Sequence, residues 1–459
     1  MVCAGDGQCP VCRKCAIGGR RCVRSTPTVR FIIASSGPNV GEIERLSEAS
    51  GDIDNLQRRD ARQDASSPIS DGAASISNSI LALASSHPTT ALQNPDISML
   101  FAHYITVLAS WYDLNDPQQT FARAVPDAAL KVPILFKAVI AFSACHLHKL
   151  HGTYDEIATT FHAACVSEIL LSMEAPDTSL RSSNLAATCL LRSFELISGS
   201  LDLESHLLGA YSYAASDPID FSESGILQVG AWNYLREEIT VALIQRRGVR
   251  MGQIFDHHMH SHPEDILPSD FISYLLAKTI NFCFNGSSQT LPLQERTVQW
   301  NSLRSDLMEW EAALPAVFAP FSRSSKAGNP FPSLWMLQPC HIAAQQYRAI
   351  VEMLLKLYDP CPEGGHLGIR SLDFAQEQAL QVCGLAWTNT DEAARVNAFG
   401  PMAFCVGATM SADPSPQARL RRIAFKGCKR LLRVSVAELR SSEWSTNHLQ
   451  DNLFQYARS

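Results

Sequence analysis

The residues best suited to chemistry are the cysteines at the start of the chain. Three of them, Cys12, Cys15 and Cys22, follow the spacing C-x2-C-x6-C, and Cys3 and Cys9 precede them. A C-x2-C pair can direct two thiolates at one metal ion, and a third cysteine beyond a Gly-Gly bend can return to complete most of a tetrahedral site. Zinc is the ion that favours this geometry. The spacing therefore predicts a structural Zn²⁺ site.

The elements around these cysteines divide the chain into three parts. Residues 1–30 are too short for an apolar core, so they are either a module folded by metal or a disordered tail. Residues 31–95 are rich in Ser, Asp, Ala, Asn and Pro, which predicts a disordered linker. The spacing of Ile43, Leu46, Ser50 and Ile53 within that linker indicates a short coiled coil or, since it spans less than two heptads, a frayed helix. Residues 96–459 are predicted to form one large regulatory domain.

Helical periodicity dominates this third part. An apolar stripe runs from Ile97 to Trp111, and no convincing alternation of strands follows. We therefore predict an all-α fold. The other predicted helices lie at 133–151, 154–173, 183–199, 226–246, 267–284, 292–313, 338–358, 370–387 and 415–440.

Composition excludes several classes of protein. The chain is 46% hydrophobic and 18% charged, as expected of a globular protein, and it has no apolar run long enough to cross a membrane. Because the first residues do not resemble a secretory signal, we expect a reducing compartment without disulfides. The nine cysteines scattered after residue 22 are then predicted to be small buried hydrophobes. No phosphate-binding, dinucleotide-binding or nucleophile-elbow motif occurs, so an enzyme is not expected.

The cysteine-rich segment resembles the second half of the fungal zinc binuclear cluster, in the string CRKCAIGGRRCVRS and the preceding Pro10. The resemblance matches Cys3, Cys12, Cys15 and Cys22 to the third to sixth cysteines of that cluster and leaves Cys9 without a counterpart. The family's first two cysteines and its base-reading helix have no match. We therefore expect one Zn²⁺ ion instead of two, with Cys3 or Cys9 as its fourth ligand.

The resemblance also implies contact with DNA. Residues 1–30 carry a net charge of +5 within a chain of net −7, so the remaining residues carry −12. Without a base-reading helix, the basic residues are expected to meet phosphates and to bind DNA weakly, without sequence preference. The alternative is a basic patch for nuclear import. The predicted phosphate contacts are Arg13, Lys14, Arg20, Arg21 and Arg24.

Residues 96–440 resemble the second type of fungal-specific transcription factor domain, most closely that of ARCA-like proteins. The strings that carry this resemblance are HYITVLASWYDLNDPQQTFARAVPDAAL, HLLGAYSYA, WNYLREEITVALIQRRGVRM and LQPCHIAAQQYRAIVEMLLKLYDP. They imply a nuclear regulator of RNA polymerase II transcription that binds DNA, transcription machinery or co-regulators and forms a homodimer. No membrane partner is expected. The alternative is a helical regulator or ligand sensor that acts through protein partners without binding DNA.

Three further clusters of polar residues are predicted to have structural and not functional roles. The four histidines between 257 and 262 are predicted to lie in a solvated loop. The pairs Glu237-Glu238 and Arg246-Arg247 are predicted to form interhelical ion pairs, because a spacing of nine residues does not place them across one helical turn. The basic helix at 415–440 is predicted to expose a solvated face, with a membrane or nucleic-acid surface as the alternative.

Overall fold

The segment before residue 96 already contributes to the core of the protein. The structure is a computed structural model that describes residues 78–174, 178–198, 219–221, 225–261, 266–325, 331–361 and 369–409. In it, helix α1 covers 78–85 and helix α2 covers Pro88–Ala91. Ile80, Ala84 and Ala91 are buried against the main core. The prediction of an unpacked linker is therefore wrong for residues 78–95, because apolar side chains at helical spacing stabilise short helices there by packing.

The predicted helix 97–111 changes geometry along its length. Helix α3 spans Pro95–His103 and begins where the Asn94 side chain accepts hydrogen bonds from the backbone N–H groups of its first turn. A π-helical turn, Tyr104–Leu108, and a 3₁₀ turn, Ala109–Trp111, follow directly. The chain then leaves the helix axis as the loop 112–119.

Two aspartates organise that loop and start the next helix. The carboxylate of Asp113 accepts hydrogen bonds from Phe121 N and Ala122 N at 2.8 and 2.9 Å. Asp116 accepts from the backbone N–H groups of Gln118 and Thr120. Helix α4, Thr120–Ala129, was not predicted, because Pro126 lies inside it and is an unfavourable residue there.

Eight of the remaining described helices have bounds within two residues of the predicted ones, because their apolar periodicity is clear, whereas the four that begin at residues 252, 286, 392 and 399 were not predicted. Together these twelve helices form the described part of the body. They are α5 Pro133–His151, α6 Asp155–Glu174, α7 Arg181–Ser198, α8 Ile226–Gln245, α9 Gly252–Ser261, α10 Pro268–Phe284, α11 Gly286–Gln289, α12 Leu293–Ala313, α13 Pro339–Leu357, α14 Ile369–Thr388, α15 Glu392–Asn397 and α16 Phe399–Thr409. Two further 3₁₀ turns cover Thr178–Leu180 and Ala316–Phe318.

The all-α prediction is confirmed: the described residues are 78% helical, and the one sheet among them is a two-stranded hairpin. Strand β1, Ser322–Ser324, pairs antiparallel with β2, Ser333–Trp335, and Arg323 lies opposite Leu334. The predicted helix 415–440 lies outside the described residues. The hairpin packs on helix α14 at the edge of the helical body.

Helix α8 contacts several of the other helices. Helix α5 packs on α6 and α7, while α8 packs on α7, α10 and α16. The crossing of α8 and α16 is close: a methyl group added at Gly400 would lie 2.8 Å from the Cα atom of Thr240. Gly400 is therefore required for this approach of one backbone to the other.

Candidate functional site

The predicted zinc and phosphate-binding residues lie outside the described residues, so their ligation and contacts stay predictions. Among the residues that the structure does describe, no cluster of His, Cys, Asp and Glu could hold a metal ion. The predicted site residues concerned are Cys3, Cys9, Cys12, Cys15, Cys22, Arg13, Lys14, Arg20, Arg21 and Arg24.

The scattered cysteines are mostly buried, as predicted. Burial raises the pKa of the Cys145 thiol to about 12, so this thiol is protonated at neutral pH and unreactive. The prediction is wrong for Cys361, which is exposed in the loop after α13. Cys340 is partly exposed, and Cys428 lies outside the described residues. The buried cysteines are Cys145, Cys165, Cys189, Cys283, Cys383 and Cys405.

A pocket of about 310 Å³ opens between the loop 112–119, helix α8 and the start of helix α10. Its volume lies at the lower end of the range in which proteins bind small molecules, roughly 300–1,000 Å³. One wall is aromatic. Trp232 and Phe221 line it with ring centroids 5.9 Å apart, and Phe255 supports Trp232 from behind at 4.2 Å. Flat apolar rings therefore form a rigid surface on this side of the pocket.

Other residues that line the pocket are polar or charged. Arg236, one turn beyond Trp232 on α8, is only 7% exposed. Its Nη2 atom donates to the Tyr112 carbonyl at 3.4 Å and also to the Asn233 amide oxygen. Both acceptors are neutral, and the acidic side chains whose charges act on Arg236 are those of Asp113, Glu237 and Asp270.

Asp270, in the first turn of α10, supplies the complementary charge. Its Oδ1 atom accepts a hydrogen bond of 3.0 Å from the Asn115 side chain. Burial raises the pKa of the Asp270 carboxyl to about 6, although Arg236 and the Asn115 hydrogen bond favour the charged form. Asp270 is therefore largely ionised at neutral pH and becomes protonated in mild acid.

Behind the pocket, α7 and α8 enclose a buried network of charges. Arg192 is 1% exposed, and its three guanidinium nitrogens have no hydrogen-bond partner among the described residues. Its Nη1 lies 3.9 Å from Glu195 Oε2. Burial raises the pKa of Glu237 to about 8, and Arg192 and Arg236 oppose this rise. Protonation of Glu237 thus lowers the cost of burying this network.

The predicted interhelical pairing of Glu238 with the arginines is wrong. Arg247 lies just past the end of α8, where the chain folds back, and its Nη1 is 3.7 Å from Glu238 Oε1. The Glu238 carboxylate also accepts hydrogen bonds from Arg250 N and Met251 N, at 2.9 and 2.8 Å. Arg246 adopts a left-handed conformation that makes this reversal of direction. The turn at the C-terminus of α8 therefore brings Arg247 next to Glu238, although nine residues separate them in the sequence.

The histidine-rich tract was also predicted wrongly, since residues 257–261 belong to helix α9 and not to a loop. Apolar Ile254, Phe255 and Met259 anchor α9 at helical spacing, which the run of polar residues concealed. His258 lines the pocket and stacks on Phe221 with centroids 4.8 Å apart. His262 lies outside the described residues.

Sequence reasoning missed Arg236 and Asp270 as pocket residues. A signal was present, because Arg236, Glu237 and Glu238 interrupt the apolar face of a helix that is otherwise buried on both sides. Charges in such positions are costly unless they are paired or functional. Asp270 gave no comparable signal, since an acidic residue in the first turn of a helix is ordinary.

Comparison with known proteins gives one match. Residues 99–229 match the family model of the fungal specific transcription factor domain. The match includes the loop 112–119 and the beginning of α8, so it covers one side of the pocket. No curated protein matches the chain, and no solved structure does.

The matched domain supports a transcription regulator of the fungal type and suggests a regulatory, non-enzymatic role. Such a role implies action in the nucleus. Within the described part of the chain, no helix has both the length and the apolar character needed to span a bilayer.

Proposed function

We propose that this chain is a DNA-binding transcription factor of RNA polymerase II genes, in which a zinc-holding N-terminal segment contacts DNA and the helical body regulates it. The observation that supports this proposal is the occurrence, on one chain, of the domain match at residues 99–229 and the C-x2-C-x6-C spacing at residues 12–22. The ARCA-like resemblance of residues 96–440 supports the same assignment. Co-regulators and a second copy of the chain are the proposed protein partners.

The zinc proposal concerns Cys12, Cys15 and Cys22, with Cys3 or Cys9 as the fourth ligand. Titration of the full chain with Co²⁺ should give the absorption of a tetrahedral thiolate complex at about one ion per chain. Replacing Cys12 and Cys15 together by Ser should abolish it. The control is Cys361→Ser, which removes an exposed thiol distant in sequence from the cluster. Two metal ions per chain, or unchanged affinity in the double variant, would contradict the proposal.

The DNA proposal assigns phosphate contacts to Arg13, Lys14, Arg20, Arg21 and Arg24. The chain should bind DNA duplexes in the non-specific range, roughly 10⁻⁴–10⁻⁶ M at physiological salt, with a steep loss of affinity as salt rises. Replacing Arg20 and Arg21 by Gln should weaken binding and reduce the salt dependence, whereas the exposed control Arg323→Gln should not. Tight binding that distinguishes specific from scrambled duplexes would contradict this assignment.

The second candidate is a ligand sensor that acts through protein partners without DNA contact, and the pocket beside Trp232, Arg236 and Asp270 favours it. The two candidates differ in their need for the cysteines. If the chain acts on DNA, the Cys12→Ser, Cys15→Ser variant should lose chromatin occupancy and regulation together. If it acts through partners, that variant should still regulate its targets, and occupancy should depend on the partner.

A further inference from the structure

The pocket between the loop 112–119, α8 and α10 combines an aromatic wall with two ionisable side chains. Its volume of about 310 Å³ is roughly twice the 150 Å³ of an engineered cavity that holds benzene, so a molecule of one or two rings fits. Its aromatic wall is fixed by the contacts of Trp232 and Phe221 with Phe255. The size and the flat wall together favour an aromatic ligand.

The charged side of the pocket defines the polar group of that ligand. Arg236 donates to described residues only through Nη2, and Asp270 accepts from them only through Oδ1. The other N–H groups of Arg236 and the second oxygen of Asp270 therefore remain available to a ligand. A ligand group that accepts a hydrogen bond from Arg236 and donates one to Asp270 would satisfy both side chains.

The balance of charge argues against an ionic ligand. An anion would gain from Arg236 but would meet the carboxylates of Asp270 and Asp116, which line the same pocket. A cation would gain from the carboxylates but would meet Arg236. An uncharged group with an acceptor beside a donor pairs with both charges and repels neither.

We propose that this pocket binds a small uncharged aromatic compound with an amide-like group, in which a carbonyl faces Arg236, an N–H or O–H faces Asp270, and the ring packs on Trp232 and Phe221. The inference rests on the proposed regulatory function and specifies the chemical class of its effector. It requires no metal ion and no covalent step. The ligand would bridge α8 and α10, which supply the two charges.

The test uses the full chain and para-fluorobenzamide, with binding followed by fluorine NMR in the absence of DNA. Saturable binding is expected. Para-fluorotoluene, para-fluorobenzoate and para-fluorobenzylamine should each bind about tenfold more weakly, because each lacks or mismatches a hydrogen bond to a charged group. Equal binding of the toluene, or tighter binding of either ion, would overturn the proposed class of ligand.

Two substitutions locate the binding. Leu267→Trp, at the pocket rim, should fill the pocket and abolish binding, whereas Leu293→Trp, an exposed leucine at the start of α12, should not. Asp270→Asn should weaken para-fluorobenzamide about tenfold and leave para-fluorotoluene unchanged. No saturable binding, or binding that Leu267→Trp leaves intact, would overturn the site. Since DNA is absent, such a result leaves the proposed DNA binding to be judged by its own titration.

Discussion

Helices α5 and α8 both run through the interior and both bury three polar side chains, but these side chains contact different parts of the molecule. In α5, Lys137 pairs with Glu168 and His146 contacts His103 at 2.9 Å. Burial lowers the pKa of His146 to about 3, which keeps that ring neutral. Both contacts are single pairs of side chains, and the third buried group, the Ser143 hydroxyl, has no hydrogen-bond partner among the described residues, so α5 serves mainly to hold the core together.

The polar groups of α8 extend much further. Arg236 reaches the loop 112–119, and Glu238 binds the backbone of the turn before α9. Glu237 adjoins the buried arginine of α7. Equal burial therefore does not mean an equal role: α8 connects several loops through ionisable side chains, whereas α5 does not. The following predictions separate packing in α5 from ionisation in α8.

The largest effect is expected from Phe142→Ala in α5. Phe142 is fully buried and contacts Trp111 and Tyr112 edge to face. Its loss should lower the free energy of unfolding by about 3–5 kcal/mol, and by a similar amount at pH 5 and pH 8. Urea denaturation measures this, with the exposed Leu171→Ala as control. A strong dependence of the loss on pH would show that α5 is also coupled to the charges.

The pH dependence belongs to α8. The pKa of Glu237 is about 8 in the folded chain, above its ordinary value of 4.5, so the folded state holds a proton that the unfolded state has released. Stability contributed by this group is complete below pH 4.5 and falls as pH rises toward 8, by about 1.4 kcal/mol per pH unit. Above pH 8 no further loss is expected from it.

Glu237→Gln should therefore flatten the stability curve between pH 6 and 8, measured by urea denaturation at several pH values. The exposed Glu295→Gln is the matched control and should leave the slope unchanged. Asp270, whose pKa of about 6 is also raised, should still contribute a fall in stability from about pH 4 to pH 6 in the Glu237 variant. An unaltered slope between pH 6 and 8 would mean that Glu237 is ionised throughout.

A smaller loss is expected where α8 crosses α16. Gly400→Ala places a methyl group against the backbone of Thr240 and should cost about 1–3 kcal/mol of unfolding free energy. Gly230→Ala, at a helical glycine of α8 where the added atom meets Leu185 at 3.4 Å, is the control and should be nearly neutral. Thermal denaturation of both variants shows whether only the crossing with α16 rejects an added methyl group or whether α8 rejects one at any glycine near it. Equal losses would refute the close crossing.

The smallest effect concerns the helix ends. Helix α5 ends at Gly152, whose φ of +74° is left-handed. Gly152→Ala should destabilise the protein by about 1 kcal/mol through backbone strain alone, since open space surrounds the site. Gly286→Ala, also in open space but without a left-handed φ, should show no such loss in the same thermal assay.

The sequence predicted the long helices well because their apolar periodicity is strong. Helix α5, at 133–151, has the predicted bounds, since Pro133 starts it and Gly152 ends it. Helices α4 and α9 were among those not predicted, because a proline in the first and a run of histidines in the second argue against a helix, and packing outweighs both. Helices α1, α2, α11, α15 and α16 were not predicted either. For the pocket, the sequence predicted only the positions of the helices α8 and α10 that border it. Its walls come from residues more than a hundred positions apart, such as Asn115 and Asp270, whose contact no local pattern encodes.

The crossing of α8 and α16 has a mechanical consequence. Thr240 lies one turn beyond Arg236, roughly 6 Å along the helix axis, and its hydroxyl donates to the Arg236 carbonyl. Where side chains separate two helices, a small displacement is absorbed by changes of rotamer. At Gly400 no side chain is present to yield, so the joint is stiff. We therefore expect that a displacement of α8 near the pocket would move α16 with it, because no side chain separates the two backbones at Gly400.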